Sequence, residues 1–308
     1  YILPLLPPPG NTIDGSKLFY FIFQMAIVRK VLIDDFDKIY PLLRNFNNTS
    51  LKKEGWKRLF VSHWESDAGH CGYVLVDGEK IVGYLGMLFS VKVVRGQHHK
   101  FCNISSWIVE KKYRNESFSL LLQLLKLKEY TVTNFTPDKT TYVASKKLGF
   151  KDFETHFRIL IPFPTLKALR ADCSIVDGKG MVKQFLKDNY RQIYNDHLFF
   201  DCLHLWIKTR TGGFYMILTK VLKKGIPAAQ IHFISDLNYF KENVTSLTIK
   251  LCVKLKVLIV MIDERYLKGV SMLFSTRMKL PQPRIFKSES LKGEDIDSLY
   301  SELVVLNI

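Results

Sequence analysis

The chain has 308 residues with 45 Lys and Arg against 29 Asp and Glu, a formal net charge of +16, and is 47% hydrophobic and 24% charged. This composition excludes a disordered chain, and the length suggests two domains of ordinary size. A positive field favours anionic partners, but the Lys and Arg are spread along the chain and no nucleic-acid recognition module is present, so no specific nucleic-acid partner is expected.

Residues 1–24 contain Pro7-Pro8-Pro9-Gly10 and an apolar patch at 18–23, too short to span a bilayer and without a cationic lead-in. They read as a leader, non-native or disordered, ahead of Met25. A strand follows at 27–31. Asp34 or Asp35 is placed to cap a helix with Phe36, Ile39, Tyr40, Leu42 and Leu43 on its apolar face. A second helical stretch is expected over 50–64. Two β-rich runs, 73–76 and 81–94, flank Asp77-Gly78, a strong hairpin signal.

Next come a strand at 104–109, a basic turn at 113–119, an apolar helix through 120–127, a strand at 130–136 and a helix ending at Gly149. A turn that opens a helix points unpaired N–H groups at solvent and so suits a phosphate. Further strands and helices are expected at 156–163, 180–194 (helical), 203–209, 214–222, 229–234, 238–254 (helical) and 256–262. An extended segment at 280–284 and a short acidic helix over 294–303 complete the chain.

The five cysteines, Cys71, Cys102, Cys173, Cys202 and Cys252, are widely spaced and never form Cys-x-x-Cys, which argues against a disulfide framework or a zinc site. A reducing, cytoplasmic setting is expected, with no metal. Cys71 beside His70 is a thiol and base side by side, and a plain loop reads better. At the end of the strand 256–262, Asp263-Glu264 is an acidic pair able to receive an amine or to form a loop salt bridge.

The turn Arg114-Asn115-Glu116-Ser117-Phe118-Ser119 and the later Lys147-Leu148-Gly149-Phe150 resemble, in this order, motifs of the GNAT superfamily of acyl-coenzyme A N-acyltransferases. The opening strand and helix at 27–44 and the hairpin at 80–86 are similar to the family's first elements. The resemblance covers 25–163. It implies an α+β fold with a mixed central sheet flanked by helices and an acyl-coenzyme A co-substrate, acetyl or longer. It also implies an amine-bearing acceptor, with coenzyme pyrophosphate held at 114–119. The family's two loop glycines are replaced by Ser117 and Ser119, and Ser145 stands where many members have a tyrosine that protonates the departing thiolate. Tyr142 and Tyr113 are the available stand-ins. Val109 is the expected backbone donor to the thioester oxygen, and Glu110 the expected base.

The second half repeats the element order of the first, which suggests two GNAT-like lobes, 25–164 and 165–308, the second degenerate. At its equivalent of the phosphate loop, Asp236 repels an anion. The function expected is N-acyl transfer from acyl-coenzyme A. The alternative is a non-catalytic coenzyme A-binding or interaction protein, and the sequence assigns no oligomeric state.

Overall fold

The computed structural model describes residues 26–46, 51–165, 173–272 and 274–308, so the expected leader lies outside the described residues. The strands are β1 Ile27–Lys30, β2 Gly72–Asp77, β3 Lys80–Val94, β4 Gln97–Val109, β5 Tyr130–Asn134, β6 Lys151–Leu160, β7 Cys173–Val176, β8 Cys202–Thr209, β9 Gly212–Lys223, β10 Ile226–Ile234, β11 Ile259–Asp263 and β12 Ser275–Lys287. Among the described residues the α-helices are α1 Phe36–Leu43, α2 Lys53–Lys57, α3 Ser117–Leu122, α4 Lys139–Lys147, α5 Lys179–Lys183, α6 Asp188–Asp196, α7 Leu237–Leu255 and α8 Glu302–Val305.

The twelve strands found among the described residues form one mixed sheet in the order β1-β2-β3-β4-β5-β12-β6-β11-β10-β9-β8-β7. The order reads the same from either end when each of the first six strands is matched with the strand six later. Each half also places its last strand inside the other's half of the sheet: β12 pairs with β5 and β6, and β6 pairs with β12 and β11.

Both faces of the sheet are covered, which is why β3 is buried almost end to end instead of alternating. Successive residues still point to opposite sides. Val74, Ile81 and Tyr84 pack with α1, α2, α5, α6 and α8, in a core that runs across both halves. Leu75, Val82 and Leu85 pack with α3 and α4 on the other side, where α7 covers the strands of the second half.

Several element expectations need correction. The stretch 50–64 holds only α2 and a 3₁₀ turn at Arg58–Phe60, because the bulky Trp56, Leu59, Phe60 and Trp64 are all buried and the chain bends to seat them; residues 47–50 lie outside the described residues. The strand expected at 156–163 is β6, which starts five residues earlier. Its beginning is polar: Lys151 and Asp152 are exposed, and the buried Glu154 accepts bonds from the amides of Thr155, His156 and Arg265. The helix expected over 180–194 is divided into α5 and α6. The extended segment at 280–284 belongs to the thirteen-residue β12. The acidic helix over 294–303 reduces to a 3₁₀ turn at Gly293–Asp295 and the short α8. Neither Asp34 nor Asp35 caps α1. Asp35 instead binds Arg29 through two bonds of 2.6 and 2.9 Å and the Leu32 amide at 2.8 Å, tying β1 to the helix, and Arg29 lowers its pKa.

Candidate active site

Strands β4 and β5 run parallel and pair only from Lys100–Tyr130 to Asn103–Thr133, after which they part. Just beyond, the register between β3 and β4 shifts, with Gly86 opposite Ser106 and Met87 opposite Ile104, so Ser105 is an extra residue bulged out of β4. Gly86 makes room for the bulge. A Cβ there would lie 2.6 Å from both the Ser105 Oγ and the Tyr84 hydroxyl.

The gap between the parted strands is a cavity of about 370 Å³. Ile104, Ser105, Ser106 and Trp107 of β4 line one side. Asn134, Thr136, Asp138 and Thr141, from the end of β5 and the start of α4, line another. Phe46 and Trp56, stacked with centroids 5.7 Å apart, form an apolar wall. Asp138 is committed locally, since it caps α4 by accepting from the Thr141 amide at 2.7 Å.

The fourth contributor is Glu302 of α8. Its backbone N–H donates to Asn103 Oδ1 at 3.1 Å, and its Oε1 accepts from the Thr136 hydroxyl at 2.8 Å. Its Oε2 is buried without a hydrogen-bond partner among the described residues, as are Ser105 Oγ, Ser106 Oγ and Trp107 Nε1. Unpaired buried polar atoms are costly, so several around one cavity mark a place where a polar ligand would find partners. Burial pushes the Glu302 carboxyl up to about 7, against the opposing effect of the Thr136 and Asn103 bonds.

The residues singled out from sequence lie elsewhere. Glu110 is ion-paired with Lys80 at 2.8 Å and does not line the cavity. Val109 pairs with Gly83 and packs among the apolar residues under α3, while the cavity meets β4 a few residues earlier. Tyr142 donates to the Asp152 carboxylate at 3.1–3.2 Å, and the Tyr113 hydroxyl donates to Asp77. Ser145 is fully buried with its hydroxyl unpaired, and it too is outside the cavity lining.

The expected open turn at 114–119 is itself helical. Residues Lys111–Glu116 form a 3₁₀ helix that runs into α3, and the Ser117 amide already bonds to the Arg114 carbonyl. The Ser117 and Ser119 hydroxyls donate to the carbonyls of Arg114 and Glu116, each at 2.6 Å. The Glu116 carboxylate accepts from the Ala26 amide at 2.8 Å, and Arg114, Asn115 and Phe118 are exposed.

The second half has the same parting of strands, but it is closed. β10 and β11 pair only over Ala228–Gln230 and Ile259–Met261, and β10 bulges between Ile231 and Phe233. The bulged His232 is fully buried between the Thr219 and Ser298 hydroxyls, at 3.0 and 2.9 Å. Asp236 accepts from the Asn238 and Tyr239 amides and so fills the N-terminus of α7 with its own negative charge. The acidic pair at 263–264 is also engaged: Asp263 binds the buried Arg284 at 2.6 Å, and Glu264 binds Arg158 through two bonds of 2.5 and 2.7 Å.

Cys71 is no thiolate, since burial pushes its thiol up to about 11, and His70 Nδ1 lies within bonding distance of the Gly72 backbone. Among the described residues no three or more His, Cys, Asp or Glu are grouped to hold a metal ion, and no helix is long and apolar enough to cross a membrane.

The sequence reading missed Glu302. Its only local signal is a carboxylate beside an unbroken apolar run, Leu303-Val304-Val305-Leu306, where a surface helix would carry polar residues on one face.

No family model matches the chain, and no curated protein matches it in sequence. Solved structures do. It is similar to a GCN5-related N-acetyltransferase from Anabaena variabilis, with a TM-score of 0.55 and 11% identity over 85% of this chain and 72% of that one. It is similar to a GCN5-related N-acetyltransferase from Kribbella flavida, with a TM-score of 0.54 and 11% identity over 86% of this chain and 71% of the other. A GCN5-related glucosamine N-acetyltransferase region of a fungal multi-domain β-N-acetylglucosaminidase gives a TM-score of 0.56 and 12% identity over 85% of this chain and 38% of that one. At such identities the likeness is one of architecture, and the parted, bulged strands around an open cavity agree with it: the chain has the fold of the GCN5-related N-acetyltransferases.

Proposed function

We propose that the protein transfers an acyl group from acyl-coenzyme A to an amine acceptor, in the cavity between β4 and β5. The observation that carries this reading is the parting of β4 from β5 beside a bulge, which leaves a cavity of about 370 Å³ edged by buried donors without partners. An extended thioester can take the hydrogen bonds that β5 would have made, and the donors left by the bulge can polarise its carbonyl. The chain is organised as two GNAT-like lobes, 25–164 and 165–308, and acyl-coenzyme A binds in the first. The pyrophosphate is assigned to the stretch 114–119, where the exposed Arg114 side chain supplies the charge. Acyl length, acetyl or longer, is left to experiment.

A second reading, a coenzyme-binding protein without turnover, has one observation in its favour. Among the described residues no tyrosine hydroxyl lines the cavity, and those of Tyr113 and Tyr142 are held by Asp77 and Asp152. Calorimetric titration with acetyl-coenzyme A, a longer acyl-coenzyme A and free coenzyme A, followed by thiol release with a panel of primary amines, tests both. Binding with amine-dependent thiol release supports the transferase; binding without release supports the second reading; absence of binding refutes both.

A further inference from the structure

We infer that Glu302, brought to the cavity by the segment after β12, is the group that takes the proton from the attacking amine. The inference rests on the acyltransferase reading and completes it from a part of the chain remote from the phosphate-binding candidate. Glu302 and Thr136, which hold each other at 2.8 Å, are 166 positions apart in sequence.

The placement is built, not incidental. Glu302 is fully buried, its main chain is fixed by Asn103 of β4, and one carboxylate oxygen is held by Thr136 of the segment after β5. Both anchors belong to the two stretches whose parting makes the cavity. The remaining oxygen, Oε2, has no partner among the described residues, although the residue lines the cavity and a buried carboxylate oxygen is among the costliest atoms to leave unpaired. A ligand N–H satisfies it.

Few competing charges face Glu302. Asp138 on the cavity wall is occupied by the Thr141 amide, and Arg284 of β12, which favours the ionised form, is itself paired with Asp263. A carboxyl pushed up to about 7 by burial is half ionised at neutral pH, where a base is best matched to an amine's proton. Glu110, by contrast, is held by Lys80 outside the cavity.

The step balances without a further reagent. The amine nitrogen bonds to the thioester carbonyl carbon, and its surplus proton passes to Glu302 Oε2. The C–S bond then breaks, its electron pair leaves with sulfur as thiolate, the thiolate takes a proton from water, and the hydroxide left behind takes the proton from Glu302, which restores the base. The stacked Phe46–Trp56 wall, 5.7 Å between centroids, suits an acceptor whose primary amine is carried on an apolar or aromatic body. The substrate class is therefore a small apolar primary amine.

The test uses the full chain with acetyl-coenzyme A, and 2-phenylethylamine or water alone as acceptor. Glu302→Gln keeps the bond from Thr136 and removes the basicity. It should bind acetyl-coenzyme A as the wild type does and release thiol about a hundredfold more slowly. The wild-type rate should fall as pH drops through about 7, and the variant should lack that limb. Thr136→Val, which deletes the hydroxyl that stabilises the ionised carboxylate, should fold normally and move the limb to higher pH, a change that a merely structural residue would not cause. Infrared difference spectra, wild type minus Glu302→Gln, should show one carboxyl titrating near neutrality.

Equal rates and equal pH profiles in wild type and Glu302→Gln overturn the inference and leave the acyltransferase reading intact. An infrared difference with no neutral titration does the same. Wild-type protein that binds acetyl-coenzyme A and releases thiol with neither acceptor overturns the inference and supports the reading without turnover. Failure of the wild type to bind acetyl-coenzyme A overturns the acyltransferase reading itself, and the inference with it.

Discussion

Lys92 in β3 and Asp297, in the segment leading to α8, form an ion pair at 2.7 Å with side chains only 3% and 14% exposed. The ammonium also sits over the Phe101 and Tyr300 rings, 4.5 and 5.2 Å from their centroids. Lys92→Met keeps most of the stem volume but leaves Asp297 without its cation. Removing one partner of a buried pair costs about 3–5 kcal/mol. The low end applies here, because Asp297 keeps the Leu299 amide at 3.0 Å. Loss of the two ring contacts adds roughly 1 kcal/mol, which brings the total to about 4 kcal/mol. In a chain of this size that corresponds to a fall in Tm of roughly 6 °C. The double variant Lys92→Met/Asp297→Asn, in which Asn can still accept from Leu299, should regain more than half of the loss, because no uncompensated charge remains. Thermal and urea unfolding of the wild type, both single variants and the double variant close the cycle. A Lys92→Met protein within 1 °C of the wild type, or a double variant no more stable than Lys92→Met, would refute the reasoning.

Arg114→Glu should weaken acetyl-coenzyme A binding at least tenfold by calorimetry, in line with about 1.4 kcal/mol for a charge reversal beside a pyrophosphate; unchanged affinity removes Arg114 from the site. Gly86→Ala places a Cβ 2.6 Å from Ser105 Oγ and the Tyr84 hydroxyl, so it should cost about 1–3 kcal/mol in urea unfolding and reduce coenzyme affinity by shifting the bulge. His197, His204 and His232 are buried neutral, with pKa values lowered to about 4, 4 and 3. Their contribution is fully present above about 6.5 and is lost as pH falls toward those values, at up to about 1.4 kcal/mol per pH unit each. Glu302, raised to about 7, acts with the opposite sign between 4.5 and 7, so Glu302→Gln should make stability fall more steeply over pH 6.5 to 4.5 than in the wild type.

The frame from 104 to 150 was legible because its signals are local: a β-rich run, an apolar helix, a second β-rich run and a helix ending at Gly149, where φ is +86°. The Arg114 turn was misread in form, since a 3₁₀ helix has already used donors that an open turn would offer. β12 was read as a mere extended segment because Pro281 and Pro283 interrupt it. Its role comes from pairing with β5 and β6, and the register breaks between Lys279 and Arg284 where the prolines lie. Glu110 looked like a base because it follows β4 directly. Its partner Lys80 lies 30 positions away, and only the antiparallel pairing of β3 with β4 brings the two together. Glu302 was hidden for the same reason, since its environment is made by Asn103 and Thr136, which are remote in sequence.

The central claim, that acyl-coenzyme A lies between the parted strands of the first half, is tested most directly by hydrogen–deuterium exchange of the full chain with and without acetyl-coenzyme A. Binding there should slow exchange in peptides covering 104–109 and 134–141, where β4 has no β5 partner, and leave 231–236 and 259–263 unchanged, because that second parting is closed by Ser298 and Asp236. No protection at 104–109, or protection confined to the second parting, would contradict it.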